Sequence, residues 1–484
     1  MVRNKDVFIA TDRNVEHLPW IYEGRVWKYW EKIMPTNYPD SSSTFSLSFD
    51  SEESRAAVEE LEDTVADPEG VIAQNMPANS FLRDYVGTYN VEGTPGELTL
   101  LSPEKVNTDS VVALHYVEAA EDSEENQDAP GTWEVVEDAQ VIDGYVWGTL
   151  ESFSPIAIFT YAPDMEVYSS GLVIANGNPV LFTQEDEDVY VTNQNTGAKV
   201  KVPGRLLVIG GTYWEGDCAS TSITFKGIKK TDAGIFAGSY INPESEVSAK
   251  LGDVKVTVVD SEISFVTGPC GAVKTESLKY NFKNSIIKDY IGSGESIIGG
   301  KDAGTKDPDS TNKYANHVVS YELDGVECDL VYAGGNCGYT WTGKCNIVAK
   351  NSKFGYYIAG GSNGTTENCY IEAEDCEIVT FQTNNRGIVG TVEGKFKGGN
   401  KVENFFLLGD ANDSTVNGTT AKVKVDIDKG AGSNYNIAIG TQAGVAADQE
   451  VVDAVIDTVK ISRGANFEIS DADSKLLGDK LIIK

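Results

Sequence analysis

The sequence predicts an all-β protein whose C-terminal half is a right-handed parallel β-helix, with a small β-sandwich before it. Three observations support this prediction. Apolar and polar residues alternate with a period of two from about residue 80 onward, which is typical of strands. The 484 residues include 48 Gly but only 15 Pro, which suits many tight turns. A phrase of one short strand and one Gly- or Asn-rich turn recurs along the C-terminal half.

Residues 1–40 stand apart because aromatic and basic side chains are dense there. Arg25, Lys28 and Lys32 lie among the aromatic residues, and a segment this short cannot bury those aromatics by itself. One interpretation is a strap packed on the following domain. The other is a docking arm that places its aromatics in pockets of a neighbouring subunit, as interface hot spots do. We predict a docking arm whose contact residues are Trp20, Tyr22, Trp27, Tyr29 and Trp30.

Residues 41–79 are expected to form a linker with one short helix. The stretch DSEESRAAVEELEDTVADPEG places Ala56, Ala57, Val58 and Leu61 at helical spacing, and DPEG closes it. A β-sandwich is predicted next, followed by a connecting β segment.

The β-sandwich is predicted over residues 80–162, and residues 163–201 form the connecting segment. In the predicted sandwich, the stretches ELTLLSP, SVVALHYV, GTWEVVE and AQVIDGYVWGTLESFSPIAIFTY alternate apolar and polar residues between Gly, Pro and Asp turns. Five to seven strands in about eighty residues describe a small sandwich. From Gly96 to Tyr161 the order of HYV, GTWEVV and SFSPIAIF resembles small β-sandwich modules of bacterial and phage surface proteins. That resemblance implies a spacer or presentation module rather than an enzyme.

The parallel β-helix is predicted over residues 202–466, with residues 467–484 as its C-terminal cap. Successive turns lie 23 to 31 residues apart, except for one interval of 42 that holds the insertion GKDAGTKDPDSTNKYANH. A repeat of this length without helical periodicity indicates stacked coils, each pairing its strands with the coils above and below. The aligned turn positions are Gly268, Gly292, Gly334, Gly360, Thr383, Gly409 and Gly440.

The repeat makes further predictions about what lies inside and what is excluded. Val, Ile, Phe and Cys are expected to form inward ladders, and Cys345 and Cys369, 24 residues apart, are expected to stack as core residues. Leucine-rich repeats are excluded because no LxxLxL spacing is present, and a propeller would need about forty residues per blade. By pattern the region resembles the pectate-lyase-like class of β-helices.

The sequence shows no catalytic signature, and we expect no catalytic residues, no metal and no cofactor. β-Helices of this class either cleave carbohydrate or build fibres, and fold alone cannot choose between these roles. Hydrolases need carboxylates that converge across adjacent coils. The best local candidate is YIEAEDCEIV, although any acidic surface would show the same pattern; its carboxylates are Glu372, Glu374, Asp375 and Glu377.

Other residue types that catalysis would use are scattered. The lyases of the resembling class have Arg or Lys beside calcium-binding Asp, whereas the β-helix region holds only Arg205, Arg386 and Arg463. The motifs of polygalacturonases, NTD, DD, HG and RIK, are absent as a set from the predicted β-helix. An isolated NTD at residues 107–109 lies in the predicted sandwich, without the other three motifs. The three histidines occupy three different segments, which argues against a triad or a metal cluster; they are His17, His115 and His317.

The formal charge of −35 restricts the partners. Phosphate contacts need clustered Lys and Arg, so the charge argues against nucleic acid, and it equally disfavours anionic membrane surfaces. No stretch reaches the eighteen apolar residues of a membrane span, so no membrane insertion is expected. The first residues have no apolar run of a secretory leader, which predicts synthesis and folding in the cytoplasm of the producing cell.

The order of docking arm, sandwich, β-helix and cap resembles that of tailed-bacteriophage virion appendages, in particular head fibres of the crAss-like phage type. The resemblance implies a head-fibre or capsid decoration protein on the virion surface, and shafts of this class are usually homotrimers. Its implied partners are the major capsid protein or neighbouring fibre chains, and host-surface glycans. The candidate glycan contacts are Tyr339, Trp341, Tyr356 and Tyr357, for which packing in the core or between the chains of a trimer is at least as strong an alternative.

Two other functions stay open from the sequence. A tailspike depolymerase would place paired carboxylates in a groove of the shaft. A bacterial cell-surface adhesin would require an export signal upstream of the first residue.

Overall fold

The structure is a computed structural model, and it describes residues 80–91, 94–106, 110–117, 132–152, 155–214, 216–241, 249–271, 273–294, 315–334, 341–359, 365–383, 388–408, 420–440 and 448–484. Over these residues the protein is all-β, with two α-helices of seven residues each. The chain divides into two units. The smaller contains the described residues up to Glu166 together with Asn193–Ala198, and the larger contains Val167–Thr192 and Lys199–Lys484. The docking arm predicted at residues 1–40 and the helix predicted near residues 50–70 lie outside the described residues.

The smaller unit is built from two antiparallel sheets. A four-stranded sheet has the order β1-β7-β3-β4 and a three-stranded sheet the order β2-β6-β5. Both sheets contribute to one hydrophobic core, in which Leu101 and Val146 of the second sheet meet Ala113, Ile156 and Ile158 of the first. The strands are β1 (Ser80–Asn90), β2 (Leu98–Lys105), β3 (Val111–Val117), β4 (Thr132–Val135), β5 (Gln140–Ile142), β6 (Tyr145–Thr149) and β7 (Pro155–Pro163).

The remaining strands fall mainly into two long sheets. They are β8 (Glu166–Val167), β9 (Leu172–Ile174), β10 (Pro179–Glu185), β11 (Asp188–Asn193), β12 (Lys199–Val202), β13 (Leu207–Ile209), β14 (Tyr213–Trp214), β15 (Cys218–Lys226), β16 (Gly234–Phe236), β17 (Tyr240–Ile241), β18 (Ala249–Val259), β19 (Glu262–Thr267), β20 (Val273–Lys283), β21 (Ile286–Gly292), β22 (Ala315–Asp324), β23 (Glu327–Tyr332), β24 (Trp341–Lys350), β25 (Lys353–Ile358), β26 (Thr365–Glu374), β27 (Glu377–Gln382), β28 (Ile388–Lys397), β29 (Lys401–Phe406), β30 (Thr420–Ile427), β31 (Asn434–Ala438), β32 (Ile456–Ile461), β33 (Phe467–Ile469) and β34 (Leu481–Ile483).

Strands of the two long sheets alternate along the chain. The first long sheet has thirteen strands in the order β12-β11-β10-β15-β18-β20-β22-β24-β26-β28-β30-β32-β34. The second has twelve, in the order β8-β9-β13-β16-β19-β21-β23-β25-β27-β29-β31-β33. From β18 to β33 each strand belongs to the other sheet from its predecessor, and each pairs in parallel with the strand two positions away. The prediction of long parallel stacking in the C-terminal half is therefore confirmed.

The turn between the two sheets follows one pattern in successive coils, where a coil means one first-sheet strand and the second-sheet strand after it. Asp260, Asn284, Asn351 and Asp375 each start a two-residue turn with φ of 51°, 48°, 49° and 54°. These are left-handed values that Asn and Asp tolerate better than other non-glycine residues. Gly325 takes the equivalent place in another coil, with φ of 65°. In each of these coils the chain therefore passes from the first to the second long sheet at a residue type that tolerates the left-handed conformation.

Hydrogen bonds also join these turns from coil to coil. The Asn284 N–H donates to the Asp324 carbonyl at 2.9 Å, and the Asn351 N–H donates to the Glu374 carbonyl at 3.0 Å. Inside the turn, the Ser352 hydroxyl oxygen accepts from the Val326 N–H at 3.0 Å. Stacking thus satisfies backbone groups that a buried turn would otherwise leave unpaired.

Ladders of equivalent side chains fill the space between the sheets. Cys345 of β24 lies directly opposite Cys369 of β26, and both are buried, which confirms the prediction that they stack as core residues. In the second long sheet, Tyr357, Phe381 and Phe405 form an aromatic ladder with ring centroids 5.7 Å and 4.6 Å apart. The core is therefore built by superposition of coils.

The turn positions predicted from the repeat are partly described. Gly268 donates its N–H to the Gly292 carbonyl at 3.1 Å, so these two turns stack as the spacing predicts. Gly360 and Gly409 lie outside the described residues.

Two short helices, α1 (Gln449–Val455) and α2 (Asp471–Leu477), lie near the C-terminal end. The Asp448 carboxylate accepts from the Val451 N–H at 2.9 Å, and the Ser470 hydroxyl from the Asp473 N–H at 3.0 Å. Each helix thus begins at a side-chain cap. The predicted cap segment, residues 467–484, contains β33, α2 and β34.

Candidate functional site

The structure changes the interpretation of the predicted glycan contacts. Trp341 is only 6% exposed and Tyr357 only 1%, so both side chains lie in the interior and offer no surface to a glycan. Tyr356 is half-buried, and Tyr339 lies outside the described residues, as do the five predicted docking aromatics. For Trp341 and Tyr357 the structure therefore favours the alternative of core packing, and the glycan contact stays a prediction for Tyr339 and Tyr356.

The carboxylates of YIEAEDCEIV are engaged in contacts between coils. Glu372 pairs with Lys397 at 2.9 Å, Glu374 with Lys350 at 3.1 Å, and Glu377 with Lys401 at 3.0 Å. Asp375, at the turn, accepts a hydrogen bond from the Gly399 N–H.

These pairs also set the proton affinity of the carboxylates. The hydrogen bond from Lys397 lowers the pKa of Glu372, and the bond from Lys401 lowers the pKa of Glu377. A general acid needs a raised pKa, so these two groups are tuned the opposite way.

The histidines and arginines that the structure describes lie on separate elements. His115 lies on β3 in the smaller unit, where burial lowers its pKa, and His317 lies on β22 in the larger unit. Arg205 pairs with Asp232 at 3.6 Å. Within the described ranges, no group of three or more His, Cys, Asp or Glu residues is placed to hold a metal ion.

A surface groove lies on the second long sheet, and we call it the Gly355 groove. It has a volume of about 480 Å³ and crosses β23, β25, β27 and β29. One side is a column of residues in register, and the other side is a second column two positions further along each strand. The first column is Glu327, Lys353, Glu377 and Lys401, and the second is Asp329, Gly355, Val379 and Glu403.

The sequence places both columns on the face away from the core. Cys328, Phe354 and Ile378 lie between the columns and are 2–3% exposed, so their neighbours on either side point outward. A glycine interrupts the second column between Asp329 and Val379. A Cβ atom at Gly355 would lie 2.6 Å from the Asp329 carbonyl oxygen, so the close approach of β23 and β25 requires glycine there. The missing side chain gives the groove its depth.

Charges in the first column of the groove alternate in sign from coil to coil, and the second column adds the carboxylates of Asp329 and Glu403. Glu377 pairs with Lys401 at 3.0 Å and with Lys353 at 3.8 Å, and all three side chains are more than half exposed. The alternation of Glu and Lys can be seen in the sequence once the strands are aligned, because ECDLVY, KFGYYI, EIVTFQ and KVENFF begin with Glu, Lys, Glu and Lys. The groove was not predicted from the sequence, because the predicted repeat rests on the aligned turns rather than on the first residue of each strand.

Comparisons with known proteins found no match to any protein-family model, to any curated protein or to any solved structure. The fold therefore defines the class only as an all-β protein with two long parallel sheets. Of the helices in the described part of the chain, none is long and apolar enough to cross a membrane.

Proposed function

We propose that this chain is a structural protein of a tailed-bacteriophage virion, a head fibre or capsid decoration protein. In this proposal the two long sheets are two faces of a closed, right-handed parallel β-helix that projects from the capsid as a shaft. Residues 1–40 dock on the major capsid protein or on neighbouring fibre chains, and three shafts associate as a homotrimer.

The observation that supports this proposal most directly is that many residues make contacts between neighbouring coils. Turn residues, buried ladders and ion pairs such as Lys350 with Glu374 all join one coil to the next. Length gained by adding coils is what a shaft requires, since each coil contacts only its neighbours. The acidic coat, with a formal charge of −35, suits a protein displayed at high density because like charges keep copies apart.

Mass spectrometry of purified virions tests the assignment. We expect this chain at a stoichiometric copy number in virions of the phage whose genome encodes it. Cryo-electron microscopy of the same particles should place it on the capsid surface. Complete virions that lack the chain would refute the proposal, and density on the tail would correct the head location.

The trimer and the docking arm need separate tests. Light scattering on the purified full chain should give three times the mass of one chain, 52.2 kDa. Replacing Trp20, Trp27 and Trp30 by Ala should leave that mass unchanged and abolish incorporation into virions. Normal incorporation of this variant would exclude the arm as the anchor.

The depolymerase alternative makes a different prediction. A depolymerase would release reducing ends from host-surface polysaccharide, whereas the structural role predicts none. Turnover that is lost in a Glu372→Gln or Glu377→Gln variant would favour the enzyme over the shaft.

A further inference from the structure

The lining of the Gly355 groove has an unusual charge order. Neighbouring strands lie about 4.8 Å apart, so the groove is about 14 Å long across its four strands. Over that length the first column presents carboxylate, ammonium, carboxylate and ammonium groups in turn, from Glu327, Lys353, Glu377 and Lys401.

This order discriminates among ligand classes. A polymer with one sign of charge would meet a like charge at every second coil, which is unfavourable. A hydroxyl group is both donor and acceptor, so it can pair with a carboxylate in one coil and with an ammonium in the next. The first column therefore suits a neutral chain that carries many hydroxyl groups, and the carboxylates of the second column, Asp329 and Glu403, add further acceptors for those hydroxyls.

Three charged side chains of the first column are exposed to such a ligand. The side chains of Lys353, Lys401 and Glu377 are 63%, 59% and 51% exposed, and exposed ion pairs contribute little stability. Exchanging part of these pairs for ligand hydrogen bonds therefore costs little. Val379, 44% exposed beside Gly355, adds an apolar surface for the C–H face of a sugar ring.

We propose that the Gly355 groove binds a neutral oligosaccharide along the stacking direction of the coils. Lys353 and Lys401 donate to sugar hydroxyls, Glu377 and Glu403 accept from them, and the ring packs over Gly355 against Val379. This inference goes beyond the structural role proposed above and does not depend on it.

Saturation-transfer NMR with the full-length chain tests this inference. The probes are neutral hexasaccharides of the malto-, cello-, manno-, galacto- and N-acetylchito- series, with dextran sulfate and hexalysine as charged alternatives. We expect transfer to at least one neutral probe. Val379→Trp, which fills the groove from outside the core, should weaken its affinity by about tenfold or more.

The matched control is Val318→Trp, since Val318 is 36% exposed and lies on the first long sheet. It should leave the affinity unchanged. A second pair compares Lys401→Gln with Lys424→Gln, because Lys424 is an ion-paired lysine outside the groove. Only Lys401→Gln should weaken binding.

Several outcomes would overturn the inference. They are the absence of transfer to every neutral probe, binding of hexalysine or dextran sulfate alone, and equal affinity in the Val379→Trp and Val318→Trp variants. Incorporation of Val379→Trp into virions is a separate readout. A variant that is incorporated but no longer binds supports both proposals, and loss of incorporation with intact binding would count against this groove.

Discussion

At the scale of single residues, the interior shows how tyrosine hydroxyls are accommodated between the sheets. Tyr280 donates its hydroxyl to the Gly292 carbonyl at 2.7 Å, whereas the hydroxyl of Tyr357 is buried without a hydrogen-bond partner. Burial raises the pKa of Tyr357 well above its ordinary value, because water no longer stabilises the phenolate. We therefore expect the hydroxyl groups of these two tyrosines to have opposite effects on stability.

Replacing each of these tyrosines by Phe tests that difference. Tyr357→Phe removes a hydroxyl group that loses its hydrogen bonds to water on folding and gains none in the protein. The substitution should therefore leave stability unchanged or raise it by about 1 kcal/mol. Tyr280→Phe leaves the Gly292 carbonyl without this donor and should lower stability by about 1 kcal/mol. Urea unfolding of the two variants, side by side, measures both effects. Equal losses would show that the hydroxyl of Tyr357 has a partner.

The lowered pKa of Glu372 predicts a dependence of stability on pH. A depressed folded-state pKa gives a contribution that is present above the unfolded value, about 4.3, and lost as the pH falls through the folded value. The stability difference between the wild type and Glu372→Gln should therefore be largest near neutral pH and shrink below about pH 4.

An NMR titration provides the direct measurement for Glu372. Its carboxyl should titrate below the ordinary range, and Lys397→Gln should raise its pKa. Lys424→Gln, which removes the ion pair between Lys424 of β30 and Glu393 of β28, should not. An ordinary Glu372 pKa in the wild type would contradict the ion pair.

At the scale of elements, each strand of the second long sheet separates a core face from a solvent face. In β27, Phe381 is 1% exposed and stacks between Tyr357 and Phe405, whereas Val379, two residues earlier, is 44% exposed. The aromatic ladder therefore connects three coils. Outward residues of the same strand contribute to the surface.

Truncating the ladder tests this division. Phe381→Ala should lower stability by about 3–5 kcal/mol, because it leaves a cavity between two neighbouring rings. Val379→Ala, the control in the same strand, should change stability by less than about 0.5 kcal/mol. Thermal unfolding followed by circular dichroism compares the two. A small effect of Phe381→Ala would mean that the ladder does not bear on stability.

At the scale of the whole chain, acidic residues outnumber basic ones, with 74 Asp and Glu against 39 Lys and Arg. Ion pairs between coils use part of this charge, and the rest repels itself. Repulsion among exposed charges weakens with ionic strength, since the Debye length falls from about 30 Å at 0.01 M to about 10 Å at 0.1 M. Net repulsion should therefore dominate the response to salt.

We expect the unfolding temperature to rise between 0.01 M and 0.3 M NaCl, because screening removes self-repulsion while exposed ion pairs lose little. Differential scanning calorimetry measures this shift. Tetramethylammonium chloride at the same ionic strength serves as the control against specific cation binding. A falling unfolding temperature would indicate that the ion pairs outweigh the repulsion.

The sequence predicted those parts of the fold that follow from a regular spacing of residues along the chain. Cys345 and Cys369 are separated by one repeat and stack as predicted, because equivalent residues of successive coils lie opposite each other in neighbouring parallel strands. The inward or outward direction of Trp341 and Tyr357 was not predictable. The last three residues of β23, Leu330, Val331 and Tyr332, are all buried, so the period of two that identifies a solvent face breaks down at strand ends.

The groove escaped prediction for a related reason. It is a property of four strands in register, and its depth comes from one missing side chain at Gly355. The residues of each strand are near in sequence, whereas the columns join residues 24 to 26 positions apart. Only the pairing of strands shows which residues become neighbours.

The sequence alone determined that this protein is all-β and that its C-terminal half repeats, because turn residues and strand periods act over a few neighbouring positions. The tertiary structure decided which strands pair, which aromatics are buried and where charges alternate across a groove. The physical reason is that register is settled by packing between distant segments, and no local preference of the chain records it.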